Sequence, residues 1–321
     1  MLENIIGHEV PKKIISNIIQ HSKISHAYLF LGKEGIGKKK FAIEFAKIIN
    51  CENLDLNNIS SCEKCVSCVN INLGKHPDVT IIEPEKNIIR IDEIREIRKR
   101  IFLKPYCKVK VCIVNDAEKM NPQSSDAFLK TLEEPVGDVV FLLIVSNLYS
   151  VFPTIRSRCQ IMKFTDLKEN EILTYLKSKF NISHDSLIYL VNLSEGSMGK
   201  VISYIERDIL KSREKIFDFF DNPESKKKLF DMKIFKEGID IHFEDLLDVF
   251  VSIYKDILLY KFNKPVINFD KTDKIISYSP RFSIDNLTEI LSKLNNIRVL
   301  LKINLNQELS LNSLFIAGGI G

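Results

Sequence analysis

Residues 28–40 read YLFLGKEGIGKKK. The apolar run Tyr28–Leu31 has the length of a short buried strand, and glycines follow it at 32, 35 and 37. In a phosphate-binding loop, glycines let successive backbone N–H groups turn inward toward phosphate oxygens, and a lysine neutralises their charge. Gly32, Gly35, Gly37 and Lys38 supply that cradle, and Phe41–Ile49 continues with helical spacing. Strand, glycine loop and helix in that order are the context that gives the motif meaning. One position departs from it. The residue after the lysine, where a Ser or Thr hydroxyl would hold Mg²⁺, is Lys39. A protonated lysine cannot ligate a cation, and its charge opposes one. The loop therefore leaves ATP or ADP binding open and predicts no bound Mg²⁺.

Working outward, strand and helix signals alternate. Val79–Ile82, Val109–Val114, Val139–Ser146 and Gln160–Phe164 read as strands. Between them, Ile91, Ile94, Ile97 and Ile101 fall on one helical face, and Asn121-Pro122 is a helix start carrying Phe128, Leu129 and Leu132. Such alternation predicts an α/β unit with a parallel sheet covered on both faces. Beyond about residue 167 the strand signals fade. Segments 169–180 and 183–206 read as amphipathic helices, and the remainder stays helical, with 221–230 and 261–274 as connecting loops. Three units are expected: 1–166, 167–207 and 208–321.

In nucleotide-hydrolysing relatives of this arrangement, a central strand ends in Asp-Glu, the Asp orienting Mg²⁺ and the Glu the attacking water. Here the strand runs into Asn115-Asp116. One register places Asn115 at the metal carboxylate and Asp116 at the water-activating one. A one-residue slip makes Asp116 the metal ligand. In the first register, two independent changes fall on the same Mg²⁺.

Four of the seven cysteines form the pattern Cys51-x10-Cys62-x2-Cys65-x2-Cys68. In a reducing compartment this spacing predicts a tetrahedral zinc site, with a module over about 51–75. Four protein ligands leave no position open for water, so the metal is expected to be structural. Without it, few apolar residues are left to order the segment. Cys107, Cys112 and Cys159 stand singly near apolar positions and read as small buried hydrophobes.

A chain of 321 residues, 45% hydrophobic and 27% charged, has the composition of a globular protein of two or three domains. Its 46 basic and 42 acidic residues give a net charge of +4, which permits a nucleic-acid partner without arguing for one. No secretory leader pattern and no apolar stretch long enough to span a membrane is read, so a cytoplasmic protein is expected. In Pro153–Gln160, Arg156 and Arg158 are either solvated loop arginines or include one that reaches a phosphate on a neighbouring subunit.

Together these stretches resemble the clamp-loader branch of the AAA+ ATPases, and within it the delta-prime subunits of bacterial DNA polymerase III. The likeness rests on IIGHE (5–9), residues 26–42, the four-cysteine insertion, HPDV (76–79), residues 119–135 and VFPTIRSRCQ (151–160). It is looser at LSEGSMGK (193–200) and at NLNQELSLNSL (304–314), which resembles the last helix of the collar. The resemblance implies an AAA+ domain, a helical lid and a helical collar. It implies a pentameric ring of gamma/tau ATPases with delta and delta-prime at its ends, a subassembly of the DNA-directed DNA polymerase holoenzyme. That ring opens the sliding clamp and places it on primer–template DNA. It also implies that Ser157-Arg158-Cys159 carries an arginine finger acting in trans on the neighbour's ATP. The family's sensor arginine, within G-S-M-R, corresponds to Gly199, with Lys200 beside it. The lost hydroxyl, carboxylate and sensor all concern ATP used in cis, whereas the finger is kept; a subunit without its own ATPase activity is expected. Two rival readings stand beside it. One is an active gamma/tau-type ATPase using Lys38 with Asp116. The other is a zinc-bearing DNA-binding module with Lys64, Lys75 and His76 on phosphate, against which the near-neutral charge argues.

Overall fold

The seven consecutive apolar residues Val139–Val145 form a strand buried along its whole length. Alternate side chains of a strand point to opposite faces, so both faces of this sheet must be covered. In the computed structural model, which describes residues 2, 4–135, 137–221 and 243–301, they are. Strands β1 (Ala27–Leu31), β2 (Val79–Ile82), β3 (Lys110–Val114), β4 (Val139–Val145) and β5 (Gln160–Lys163) form a parallel sheet of order β2-β3-β4-β1-β5. The alternating α/β reading is met, with each strand within about a residue of its expected bounds.

On one face Tyr28, Phe30, Ile113, Leu142 and Ile144 pack with Ile15 of α1 (Glu9–Gln20) and with Phe41 and Phe45 of α2 (Lys38–Asn50). On the other, Leu29, Val114, Phe141 and Leu143 pack with Ile94 and Ile97 of α4 (Ile91–Ile101) and Phe128 of α5 (Pro122–Glu133). A short helix, α3 (Val66–Asn72), lies in the cysteine module, and α6 (Pro153–Arg156) follows β4. At the start of α5 the Asn121 side chain accepts from Ser124 N at 2.8 Å, and Pro122 opens the first turn. This is the cap the sequence predicts, because a proline there loses no helical hydrogen bond.

The later helices are α7 (Glu169–Lys179), α8 (His184–Ser194), α9 (Met198–Glu206), α10 (Ile209–Asp221), α11 (Phe243–Lys261), α12 (Thr272–Tyr278) and α13 (Ile284–Leu301). Contacts divide the chain into two compact units. The first holds residues 1–172 and 196–199, the second 173–195 with the described residues from 200 onward. The second unit is helical among its described residues. Within it Arg213 is buried, its guanidinium 3.8 Å from the Tyr189 ring centroid and bonded to Asn268 and Asp270. Most of the expected 221–230 loop and the whole of 304–314 fall outside the described residues. Among those residues no helix is long and apolar enough to cross a membrane.

Candidate functional site

In a parallel sheet the carboxyl ends of all strands share one edge, where α/β folds gather their chemistry. That edge carries the glycine loop after β1, Asn115-Asp116 after β3 and Ser146 after β4. Gly35 and Gly37 have φ of 75° and 104°, left-handed values that favour glycine, so the loop takes the turn its glycines predict. Gly32 sits at the end of β1, its N–H donating to Val145 O at 3.2 Å. Lys38 opens α2 and is only 6% exposed. Its ammonium donates to Gly32 O and Lys33 O, both at 2.5 Å. Burial pulls its pKa below the ordinary lysine value, although Glu118, Asp116 and Glu34 act in the opposite sense. Lys39, at the place of the magnesium hydroxyl, pairs with Glu83. Asp116 has a left-handed φ of 47° and pairs with Lys119 at 3.1 Å.

The segment that carries Gly199 lies directly on this loop. Gly199 N donates to Gly35 O at 2.8 Å, and the Ser197 hydroxyl donates to Glu34 O at 3.0 Å. A Cβ at Gly199 would stand 2.9 Å from Gly35 Cα, so no side chain fits there without a backbone shift. Two residues not singled out from sequence also belong here. His8 is buried with Nε2 at 2.7 Å from Ile36 O, so Nε2 carries the hydrogen, and its Nδ1 is buried without a partner. Glu118 accepts from Ser146 N at 2.8 Å and from its hydroxyl at 2.5 Å, leaving Oε2 buried and unpartnered. Residue type gives no signal for either, since each acquires its place by contact across the fold.

The four module cysteines come together as expected. Their sulfurs all lie within 4.8 Å of one another, close enough for all four to reach one zinc ion at about 2.3 Å after a small contraction. Backbone N–H groups point at the sulfurs: Cys62 N to Cys51, Cys65 N to Cys62 and Cys68 N to Cys65, at 3.4, 3.2 and 3.4 Å. The N–H groups of Lys64 and Cys65 hold the Cys62 thiol down to about 6, while burial pushes Cys51 and Cys68 up. The module is pinned to α2 by Lys47, 2% exposed, whose ammonium lies 2.6 Å from both Glu44 and Glu63. His76 pins it to the sheet. Its Nδ1 accepts from Asp78 N at 3.1 Å, which puts the hydrogen on Nε2, 2.9 Å from Ser67 Oγ. At 5% exposure His76 is committed to these bonds and is not presented to a phosphate. The three single cysteines need one correction. Cys112 is buried, but Cys107 and Cys159 are half-buried, and Cys107 Sγ lies 3.5 Å from His76 Nε2.

Arg158 is at the surface, remote in sequence from every element of the loop. Its Nη2 donates to Glu133 Oε1 at 2.6 Å and its Nη1 to Thr154 O at 2.9 Å.

The fold and the loop define an α/β protein with a five-stranded parallel sheet, a glycine loop after its first strand and a cluster of four cysteines. The family described as DNA polymerase III, delta subunit, matches residues 7–168, half of the chain, and the chain belongs to that family. It is 30% identical over 255 residues to DNA polymerase III subunit delta' of Bacillus subtilis, covering 77% of this chain and 75% of that protein. It is 35% identical over 209 residues to DNA polymerase III subunit gamma/tau of Mycoplasma genitalium, covering 63% of this chain and 34% of that protein. The chain thus spans about a third of the gamma/tau protein's length. Among solved structures, a DNA polymerase III gamma subunit-related protein of Thermotoga maritima is similar with a TM-score of 0.46 at 20% identity, over 96% of this chain and 99% of that one.

Proposed function

We propose that this chain is a delta-prime-type subunit of the DNA polymerase III clamp loader, one that does not hydrolyse ATP itself and lends Arg158 to a neighbouring gamma/tau-type ATPase. In this reading it sits with gamma/tau and delta subunits in a ring that loads the sliding clamp on primed DNA. The region after about residue 167 provides the lid and the collar, and Cys51, Cys62, Cys65 and Cys68 hold a structural zinc ion. When bound, the ion would cross-link the four thiolates, which the chain's own N–H groups orient, with the Lys47–Glu63 pair holding the cysteine turn against α2.

One observation carries the reading. Three positions that would serve ATP in cis, Lys38, Lys39 and Gly199, are engaged within the protein, while Arg158 lies at the surface with N–H groups to spare. Lys38 is satisfied by its own loop carbonyls, Lys39 is tied to Glu83, and the Gly199 backbone rests on Gly35. A side chain reaching a γ-phosphate from position 199 would have to displace that contact. The gamma/tau-type reading keeps one support of its own, an identity to gamma/tau proteins as high as to the delta' protein.

Steady-state ATP hydrolysis by the purified chain, alone and with a gamma/tau-type ATPase, separates the two. No turnover alone, and partner turnover that depends on Arg158, is the expected result. Magnesium-dependent turnover by the isolated chain overturns it in favour of the gamma/tau-type reading.

A further inference from the structure

Glu133 is the last residue of α5. A carboxylate there stands at the negative end of the helix dipole, where a cation would be favoured. Its compensation comes from Arg158, whose Nη2 donates to Oε1 at 2.6 Å. The same guanidinium is held from its other nitrogen, Nη1 donating to Thr154 O at 2.9 Å with Ser157 Oγ at 3.4 Å. Both side chains of the ion pair are partly exposed, 36% for Arg158 and 42% for Glu133, so solvent screens the pair and it adds little to the stability of the fold. A weak pair that costs helix electrostatics is poorly explained by stability. It is well explained by geometry. A guanidinium carries five N–H donors in a rigid planar fork. Anchoring both Nη atoms fixes that plane and still leaves N–H groups on the fork for an anion.

We propose that Glu133 is a positioning residue for Arg158. Together with the Thr154 carbonyl it holds the guanidinium plane at the surface, so that the remaining donors meet the phosphate of a nucleotide carried by a neighbouring subunit. This rests on the arginine-finger reading given above. Without Glu133 the long side chain samples many rotamers, and only a fraction of them present the fork to the anion, which slows turnover without changing how the neighbour binds its nucleotide.

The test uses the full chain assembled with a gamma/tau-type ATPase and compares kcat and KM for ATP among the unaltered chain, Glu133→Ala, Glu133→Gln, Arg158→Ala and the Glu133→Ala/Arg158→Ala double variant. Glu133→Ala is expected to lower kcat about two- to fivefold, the range an exposed ion pair supplies, with KM unchanged. Glu133→Gln keeps a neutral hydrogen bond and is expected to lose less. In the double variant Glu133→Ala should add nothing to the loss from Arg158→Ala. Thermal unfolding and assembly of each variant identify any failure to fold, and Glu133→Gln, which preserves shape, keeps the test decisive if Glu133→Ala misfolds. If Arg158→Ala lowers kcat but both Glu133 variants leave it unchanged or raise it, or the double variant shows additive losses, the positioning role is overturned and the finger stands. If Arg158→Ala itself changes nothing, the finger reading fails and this inference fails with it.

Discussion

Two cationic residues make opposite commitments. Lys38 spends its ammonium on the carbonyls of its own loop, whereas Arg158 spends part of its fork on a surface carboxylate. Arg158→Ala is therefore expected to leave the fold and assembly intact, because the side chain is partly exposed and lies at the surface, and to depress ATP turnover of the complex, with a loss of about three orders of magnitude confined to the one ATPase site that the finger serves. Turnover of the assembled complex checks this, and an unchanged rate refutes it. Lys38→Ala should leave that turnover essentially unaltered while costing about 1–3 kcal/mol of stability, since two loop carbonyls lose their donor. Denaturant unfolding beside the same ATPase assay reads both halves; a collapse of turnover would return Lys38 to a nucleotide-binding role. At this scale the sequence exposed Lys38, Lys39 and Arg158, because residue type within a motif carries their chemistry. It gave no sign of Glu133 or Glu118, whose carboxylates gain a function only through partners 25 and 28 residues away.

Among the elements, α2 and the cysteine module behave as one piece. The Lys47 ammonium is buried between Glu44 of the same helix and Glu63 of the cysteine turn. Removing one member of such a group leaves charge buried without a partner. Lys47→Met leaves Glu44 buried without its cation while Glu63 is partly solvated, so it is expected to destabilise the protein by about 2–3 kcal/mol in denaturant unfolding, and an unchanged stability would refute this role for Lys47. Cys65→Ser should lose the metal and loosen the module locally, as read by zinc content and by hydrogen exchange over 51–75. Zinc bound at full stoichiometry by that variant would refute the assigned ligands. The module's spacing was legible because knuckle geometry is local. Its attachment was not, since Glu63 sits between two cysteines and reads as an ordinary solvated charge. The cap of α5 was legible for the same local reason that the knuckle was.

For the whole molecule, buried titratable groups set the response to acid. Burial lowers the pKa of His8 below 6.5 despite its bond to Ile36, and burial lowers that of His76 despite Asp78. The unfolded chain then binds more protons than the folded one, so stability falls as pH drops below about 6.5. Asp78 and Asp270 behave as depressed carboxylates. Burial opposes their ionisation, but the N–H groups of Tyr106 and Cys107 with Lys110, and the Arg213 guanidinium, outweigh it. Their contribution is complete above 3.8 and is lost as pH falls through their lower folded values. Thermal unfolding midpoints should decline in these two stages, and His8→Gln should reduce the first while sparing the second. A midpoint independent of pH between 7 and 5 would refute the first stage.

What the sequence determined by itself was the α/β alternation, the glycine turn, the helix starts and the cysteine knuckle, each set by periodicity or backbone demands within a few residues. Tertiary structure alone decided how those pieces meet. It laid Ser197 and Gly199 on the glycine loop 163 residues from Glu34, joined Glu133 to Arg158, and buried the His8 ring against Ile36. A parallel sheet forces this division, because its strands pair through long crossovers. The edge where the chemistry gathers is therefore assembled from residues that share no local pattern.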